Sequence, residues 1–162
     1  MQSPIPAYTH SLNALSAILT KAEANCTQHK IDPAVMLAQR LYPNMLPLTR
    51  QVLICCDHAK GGAARLAGVE NPSFADTETT FAELQARIKK TLDFIATVPA
   101  TAFADADTRV INFKAGSREM SFNGVAYLAH YSLPNFYFHM ATAYNILRHN
   151  GVEIGKGDFL GG

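Results

Sequence analysis

The sequence lacks several features that identify large classes of protein. Its three cysteines form no C-x-x-C pair, and an odd number of thiols argues against a disulfide framework. Fourteen Lys and Arg residues against thirteen Asp and Glu residues leave no field of one sign, which argues against nucleic-acid binding. No apolar run approaches about eighteen residues, and no basic segment followed by an apolar one marks a signal peptide. We therefore expect a cytoplasmic protein with reduced thiols and no membrane association.

Motifs of the common enzyme classes are also missing. The chain has no G-x-G-x-x-G, Walker A loop, H-E-x-x-H or G-x-S-x-G. Cys55 and Cys56 have no evident base to activate a thiol. Asp57 and His58 are adjacent, and neighbours on a helix point about 100° apart, so they cannot form a triad pair. These absences leave the histidines as the residues that could form a site.

The composition fits one domain spanning residues 1–162. Hydrophobic residues make up 48% of the chain and charged residues only 17%, which is more apolar than an average soluble domain. Such a composition predicts exposed apolar surface that is covered by a partner. A homodimer is the simplest such partner.

Apolar residues recur at helical spacing in four long segments. The predicted long helices cover residues 6–29, 47–67, 80–98 and 123–150. A short helix is expected over residues 33–40, and a β-hairpin over residues 108–122, where β-forming runs flank Gly116. Pro134 should kink or interrupt the last helix. The predicted fold is all-α, a four-helix bundle with a small hairpin before its last helix.

Two further features call for tertiary contacts. Gly61 and Gly62 lie inside a predicted helix, where each glycine costs about 1 kcal/mol relative to alanine. The close approach of a neighbouring helix or a ligand would explain them. The tail from Val152 to Leu160 should fold back onto the bundle, with Arg148 and Asp158 as a candidate ion pair.

His139 lies at the edge of the apolar face of the last helix. On a helical wheel of about 100° per residue, Ala143 and Ile146 fall within about 60° of it. Asn135 precedes His139 by four residues and Thr142 follows it by three, so an amide, an imidazole and a hydroxyl share one edge. This edge could form a pocket wall, with Asn135 and Thr142 as candidate cofactor-binding residues.

His58 occupies a comparable position on the second long helix. Imidazoles from facing helices of a bundle can share a divalent ion that keeps a water in an open position. The alternative is that each ring is simply hydrogen-bonded or partly exposed. His10 is the most plausible third ligand by position alone, whereas His149 in the last turn suits the helix dipole.

The strings CCDHAKGGAARLAG and PNFYFHMATAYNILRHNGVEIGKGDFLG carry a resemblance over nearly the whole chain. The sequence resembles an uncharacterised family of domains of unknown function in the DinB/YfiT-like superfamily of metal-dependent bundles. The resemblance implies an up-and-down bundle, frequent homodimers and a nickel or zinc site of three histidines. It also implies that some relatives are hydrolases or transferases that use low-molecular-weight thiols.

Carried over onto this sequence, the resemblance makes His58 and His139 the metal ligands. Asn135 stands where relatives have the first histidine of the pair in the last helix, and an amide oxygen replaces imidazole poorly on zinc or nickel. We expect either a divalent-metal-dependent hydrolase or thiol transferase, or a non-enzymatic homodimer that binds a small molecule or serves a structural role after losing the metal. The sequence identifies no substrate.

Overall fold

Four long helices form the up-and-down bundle, and the predicted fold class is confirmed. The computed structural model describes all residues from Met1 to Gly162. Its helices are α1 (Ile5–His29), α2 (Pro33–Leu37), α3 (Leu48–Ala67), α4 (Phe81–Ala96), α5 (Gly124–Tyr127), α6 (Leu133–His149) and α7 (Lys156–Phe159). The strands are β1 (Val110–Ala115) and β2 (Arg118–Asn123), paired antiparallel before the last long helix. A 3₁₀ turn, which the sequence did not predict, covers Ala100–Phe103.

The helix ends follow the capping residues. The Thr80 hydroxyl accepts from the backbone N–H of Glu83, and the Glu83 carboxylate accepts in return from the Thr80 N–H, which closes a capping box at the start of α4. Asp32 accepts from the N–H of Ala34 and begins α2. Gly68 ends α3 with a φ of 69°, a left-handed conformation that favours glycine.

Helix α3 lies at the centre of the bundle. It packs against α6 on one side and α4 on the other, while α1 packs against α4. Buried side chains of all four long helices form one hydrophobic core that includes Leu12, Val52, Ile88 and Ile146. Because α6 packs on α3, residues on the α6 side of α3 are placed to meet side chains of the last helix.

None of the helices combines the length and the apolar character that crossing a membrane requires.

The last long helix is interrupted, as Pro134 predicts. Asn123 caps its first turn by accepting from the N–H of Ala126. Residues Leu128–Ser132 then form a π-helical turn before α6. Pro134 has no N–H to donate to the preceding turn, and its ring crowds that turn, so the regular helical ladder breaks there. In the same turn, the Asn135 amide donates to the carbonyl of Tyr131 at 2.7 Å.

The two glycines inside α3 make room for different neighbours. A Cβ at Gly62 would lie 2.5 Å from Ser132 Oγ and would collide with Tyr8 Oη, two atoms that hydrogen-bond to each other at 2.8 Å. The predicted close approach of neighbouring helices is thus confirmed at Gly62. A Cβ at Gly61 would instead collide with the guanidinium of Arg65, which lies one turn further along the same helix.

The C-terminal tail folds back onto the bundle, but by contacts other than those expected. Asp158 pairs with Lys21 of α1 at 2.5 Å, so the predicted pair with Arg148 is wrong. The tail crosses from α6 to α1, and His10 of α1 hydrogen-bonds the carbonyl of Leu160 at 2.8 Å. Arg148 is left exposed on α6.

Candidate functional site

Three polar residues form a stripe along one face of α3. Gln51, His58 and Arg65 are spaced seven residues apart, which is close to two helical turns, so their side chains leave the helix in nearly the same direction. Gln51 is buried, and His58 and Arg65 are partly buried. The stripe places an amide, an imidazole and a guanidinium in a row.

The imidazole of His139 reaches this stripe from α6. The ring centroids of His58 and His139 lie 5.9 Å apart, and the ring planes are inclined by only 13°. Both side chains are partly buried. The structure therefore brings together the two histidines chosen from the sequence, and their role as metal ligands stays a prediction.

Gln51 fixes the orientation of His139. Its Oε1 lies 2.7 Å from His139 Nδ1, while its Nε2 donates to the carbonyl of Leu46 at 3.0 Å. Because an amide oxygen can only accept, Nδ1 of His139 carries the proton. The other ring nitrogen, Nε2, is left with its lone pair.

Both imidazoles are neutral at physiological pH. Burial lowers the pKa of His58 to about 4, with smaller contributions in the same direction from His139 and Arg65, while Asp57 opposes the shift. Burial also lowers the pKa of His139. A neutral imidazole can accept a proton or ligate a metal, so the pair is in the protonation state that either role requires.

The other polar residues chosen from the sequence take different positions. The Thr142 hydroxyl donates to the carbonyl of Phe138 at 2.7 Å, and the Asn135 amide nitrogen bonds within its own helix as well. His10 lies against Leu160 at the C-terminal tail and is not brought to the pair. The arrangement of His58 and His139 therefore includes no third imidazole.

A cleft of about 370 Å³ opens beside His58. Its walls come from α3, from the loop before α4, from β1 and from the π-helical turn. The lining residues are Asp57, His58, Lys60, Arg65, Asn71, Pro72, Ser73, Phe74, Asp76, Phe113, Lys114 and Tyr131. The volume is near the lower end of the range for small-molecule sites, so the cleft suits a small ligand.

Several of these residues were not singled out from the sequence. The seven-residue spacing of Gln51, His58 and Arg65 was a usable signal for the stripe. No local pattern, by contrast, relates Asn71 or Phe113 to His58, because the loop and the hairpin reach the cleft only through tertiary packing. The hairpin is held there by an aromatic cluster in which the rings of Phe113 and Tyr131 lie 4.8 Å apart.

The residues present fit a divalent ion in part. The proton on His139 Nδ1 is held by Gln51, which is the usual second contact of a metal-binding histidine and leaves Nε2 as the donor atom. No third His, Cys, Asp or Glu joins the pair in a group that could hold an ion. Three or four protein ligands are usual for zinc, so any further donors here would come from water or a bound ligand.

The buried thiols contribute no nucleophile. Cys55 and Cys56 are both fully buried and free. Burial raises the pKa of Cys56 to about 12 and that of Cys55 well above its usual range. Neither residue therefore supplies a thiolate at neutral pH.

Comparison with known proteins agrees with the resemblance seen in the sequence. A family model described as a domain of unknown function, DUF1993, matches residues 1–160. Among solved structures, the chain is similar to a crystal structure described as a DinB family member protein from Shewanella denitrificans. The two are 40% identical with a TM-score of 0.89, and the match covers 98% of this chain and 89% of that one. None of the curated proteins compared with the chain matches it.

Proposed function

The chain belongs to the DUF1993 family and resembles DinB proteins in structure, and we propose that it is a divalent-metal-dependent enzyme, a hydrolase or a thiol transferase. The observation that carries the proposal is the pairing of two neutral imidazoles, His58 and His139, of which His58 lines a small-molecule cleft. Nickel or zinc would suit these nitrogen donors.

The residues of this chain have separate tasks in the proposed site. His58 and His139 would hold the ion, and Gln51 keeps His139 in one tautomer and one orientation. A bound divalent ion lowers the pKa of a coordinated water or thiol and so provides a nucleophile at neutral pH. The cleft beside His58 would position the substrate.

A second candidate function is supported by the donor count. Because only two strong donors meet, the same cleft could serve a protein that binds a small molecule without a metal. The cleft, the aromatic wall and the neutral imidazoles would then form a binding site alone.

Metal binding by the untagged, chelator-treated protein separates the two functions. We expect about one nickel or zinc ion per chain in a calorimetric titration, and loss of this binding in the His139→Ala variant, because the second imidazole donor is removed. Gln51→Leu should weaken binding by about 10- to 100-fold, since it frees the ring of His139.

His149→Ala is the matched control, because it removes an exposed imidazole at the end of α6 and should leave the binding unchanged. If the native protein takes up no metal at saturating concentration, the enzymatic proposal fails and the metal-free binding protein is favoured. Equal binding by the native protein and the His139→Ala variant would place any ion elsewhere on the chain.

A further inference from the structure

We propose that the cleft beside His58 binds an oxyanionic group of a small molecule, a carboxylate or a phosphate, and that Arg65 is the residue that holds it. The oxyanionic group would belong to the substrate of the proposed enzyme, and this assignment rests on the proposed function only because both place the ligand in the same cleft. The anion site itself needs no metal.

The charges around the cleft support this assignment. Asp57 pairs with Lys60 at 3.0 Å and also with Arg87, and Asp76 pairs with Arg50 and with Arg87. Lys114 pairs with Glu119 at 3.1 Å. Arg65 is the one charged residue of the lining with no oppositely charged partner, and an anionic ligand would supply it.

The guanidinium of Arg65 is held in place without being neutralised. Its Nη1 donates to the hydroxyl of Tyr127 at 3.2 Å, and its Cζ lies 4.8 Å from the ring centroid of Phe113. These contacts fix the plane of the group yet use only one of its five N–H donors. Gly61 leaves the space that the guanidinium occupies. A planar fork fixed in this way is suited to a carboxylate or a phosphate, which it can bind through two N–H groups.

The rest of the cleft matches a small oxyanionic ligand. Asn71 and Ser73 add neutral hydrogen-bond donors from the loop before α4. The rings of Phe113 and Tyr131 form an apolar wall for the remainder of the molecule.

Titration with two simple anions tests the proposal. The probes are inorganic phosphate and benzoate, added separately at low ionic strength and neutral pH to protein that has been freed of metal with a chelator and then dialysed. Binding is followed by the backbone amide NMR signals of Asn71 and Phe113, which line the cleft and are present in the native protein and in every variant. We expect saturable binding of at least one probe. Arg65→Gln should weaken it at least about tenfold, because the charge-assisted hydrogen bonds are lost.

Two further variants define the role of the residue. Arg65→Lys keeps the charge but loses the planar fork, so it should recover part of the affinity. Arg148→Gln removes an arginine that is exposed on α6 and also lacks a carboxylate partner, and its affinity should stay within about twofold of the native value. Binding of phosphate alone would identify a phosphate ligand, and binding of benzoate alone a carboxylate; both results support the anion site.

The proposal is overturned if neither probe binds at tens of millimolar, or if folded Arg65→Gln binds both probes as the native protein does. Thermal unfolding shows whether each variant is folded. Because the titration uses metal-free protein, its failure leaves the metal proposal standing, and failure to bind nickel or zinc leaves the anion site standing.

Discussion

Two polar regions flank α3, and they differ in how completely their charges are paired. On the side of α4, Arg87 is surrounded by carboxylates, whereas on the side of α6 His58 and Arg65 line a cleft in which Arg65 has no ion-pair partner. A region whose charges are all paired within the protein holds the fold together. A region that leaves a charge without a partner is available to a ligand.

The Arg87 region connects three parts of the chain. The Arg87 side chain is only 1% exposed and pairs with Asp57 of α3 at 3.0 Å and with Asp76 and Glu78 of the loop before α4 at 3.1 and 3.0 Å. It also donates to the carbonyl of Ala75 at 2.9 Å. These bonds fix the loop that forms one wall of the cleft, so the paired region supports the open one.

Replacing Arg87 by Met should give the largest effect. Methionine keeps much of the side-chain volume but leaves the carboxylates around it, of which Glu78 is almost buried, without their cation. We expect a loss of about 3–5 kcal/mol in the free energy of unfolding, as for other broken buried ion pairs. Urea unfolding followed by circular dichroism measures it.

The control is Lys89→Met, which breaks an exposed pair with Asp93 on the same helix. Exposed pairs one turn apart contribute about 0.3–0.5 kcal/mol, so this variant should unfold almost as the native protein does. Similar small losses for both variants would show that the Arg87 region does not stabilise the fold and would remove the contrast between the two regions.

Sequence reasoning predicted the paired side of the molecule less well than the open side. The apolar spacing and the capping residues were enough for the four long helices, and Pro134 for the break in the last one. His58 and His139 were found because a polar ring at the margin of an apolar stripe is conspicuous. The partners of Arg87 were not found, because Asp57, Asp76 and Glu78 belong to a helix and a loop whose contacts form only on folding.

The predicted pair of Arg148 and Asp158 shows the same limit. Both residues are near the C-terminus, but the short helix α7 turns Asp158 toward Lys21 of α1. Closeness in sequence was a poor guide, since the direction of a Gly-rich tail is decided by the surface it packs on. Arg65 escaped notice for a related reason: a charged residue on a helix is ordinary until the structure shows that nothing pairs with it.

The unpaired region should also affect how the stability of the protein depends on pH, through His58. Its pKa is about 4 in the folded chain and about 6.5 when unfolded, so the unfolded state binds more protons between these values. The contribution of His58 to stability should therefore be constant above about pH 7 and fall as the pH drops toward 4, by up to about 3 kcal/mol. His58→Gln should remove that part of the fall.

Urea unfolding at pH 7 and pH 5 measures the difference, with the exposed His149→Gln as the control that should keep the native slope. The stability difference between the native protein and His58→Gln should change by about 2 kcal/mol between the two pH values. If the stability of the native protein and that of His58→Gln change equally with pH, burial does not lower the pKa of His58. The claim that this imidazole is held neutral would then be wrong.

The neighbouring glycines Gly61 and Gly62 of α3 lie against different surroundings, one beside Arg65 of the cleft and the other in the core. Gly62→Ala would push a methyl group into the buried Tyr8 and Ser132 pair, which has no room to move, and should lower the free energy of unfolding by about 1–3 kcal/mol. Gly61→Ala collides only with the guanidinium of Arg65, the end of a long side chain that can be displaced into the cleft. The gain of about 1 kcal/mol from alanine in a helix should offset much of that displacement.

The two glycine variants should therefore separate stability from binding. Gly61→Ala, with nearly native stability, should still weaken the binding of phosphate or benzoate several-fold, because the Arg65 guanidinium has to leave the position in which Tyr127 and Phe113 hold it. Gly62→Ala should lose stability and, where it remains folded, bind the anions as the native protein does. If Gly61→Ala binds both anions with native affinity, the position of Arg65 is irrelevant to the ligand, and its lack of a carboxylate partner has no functional meaning.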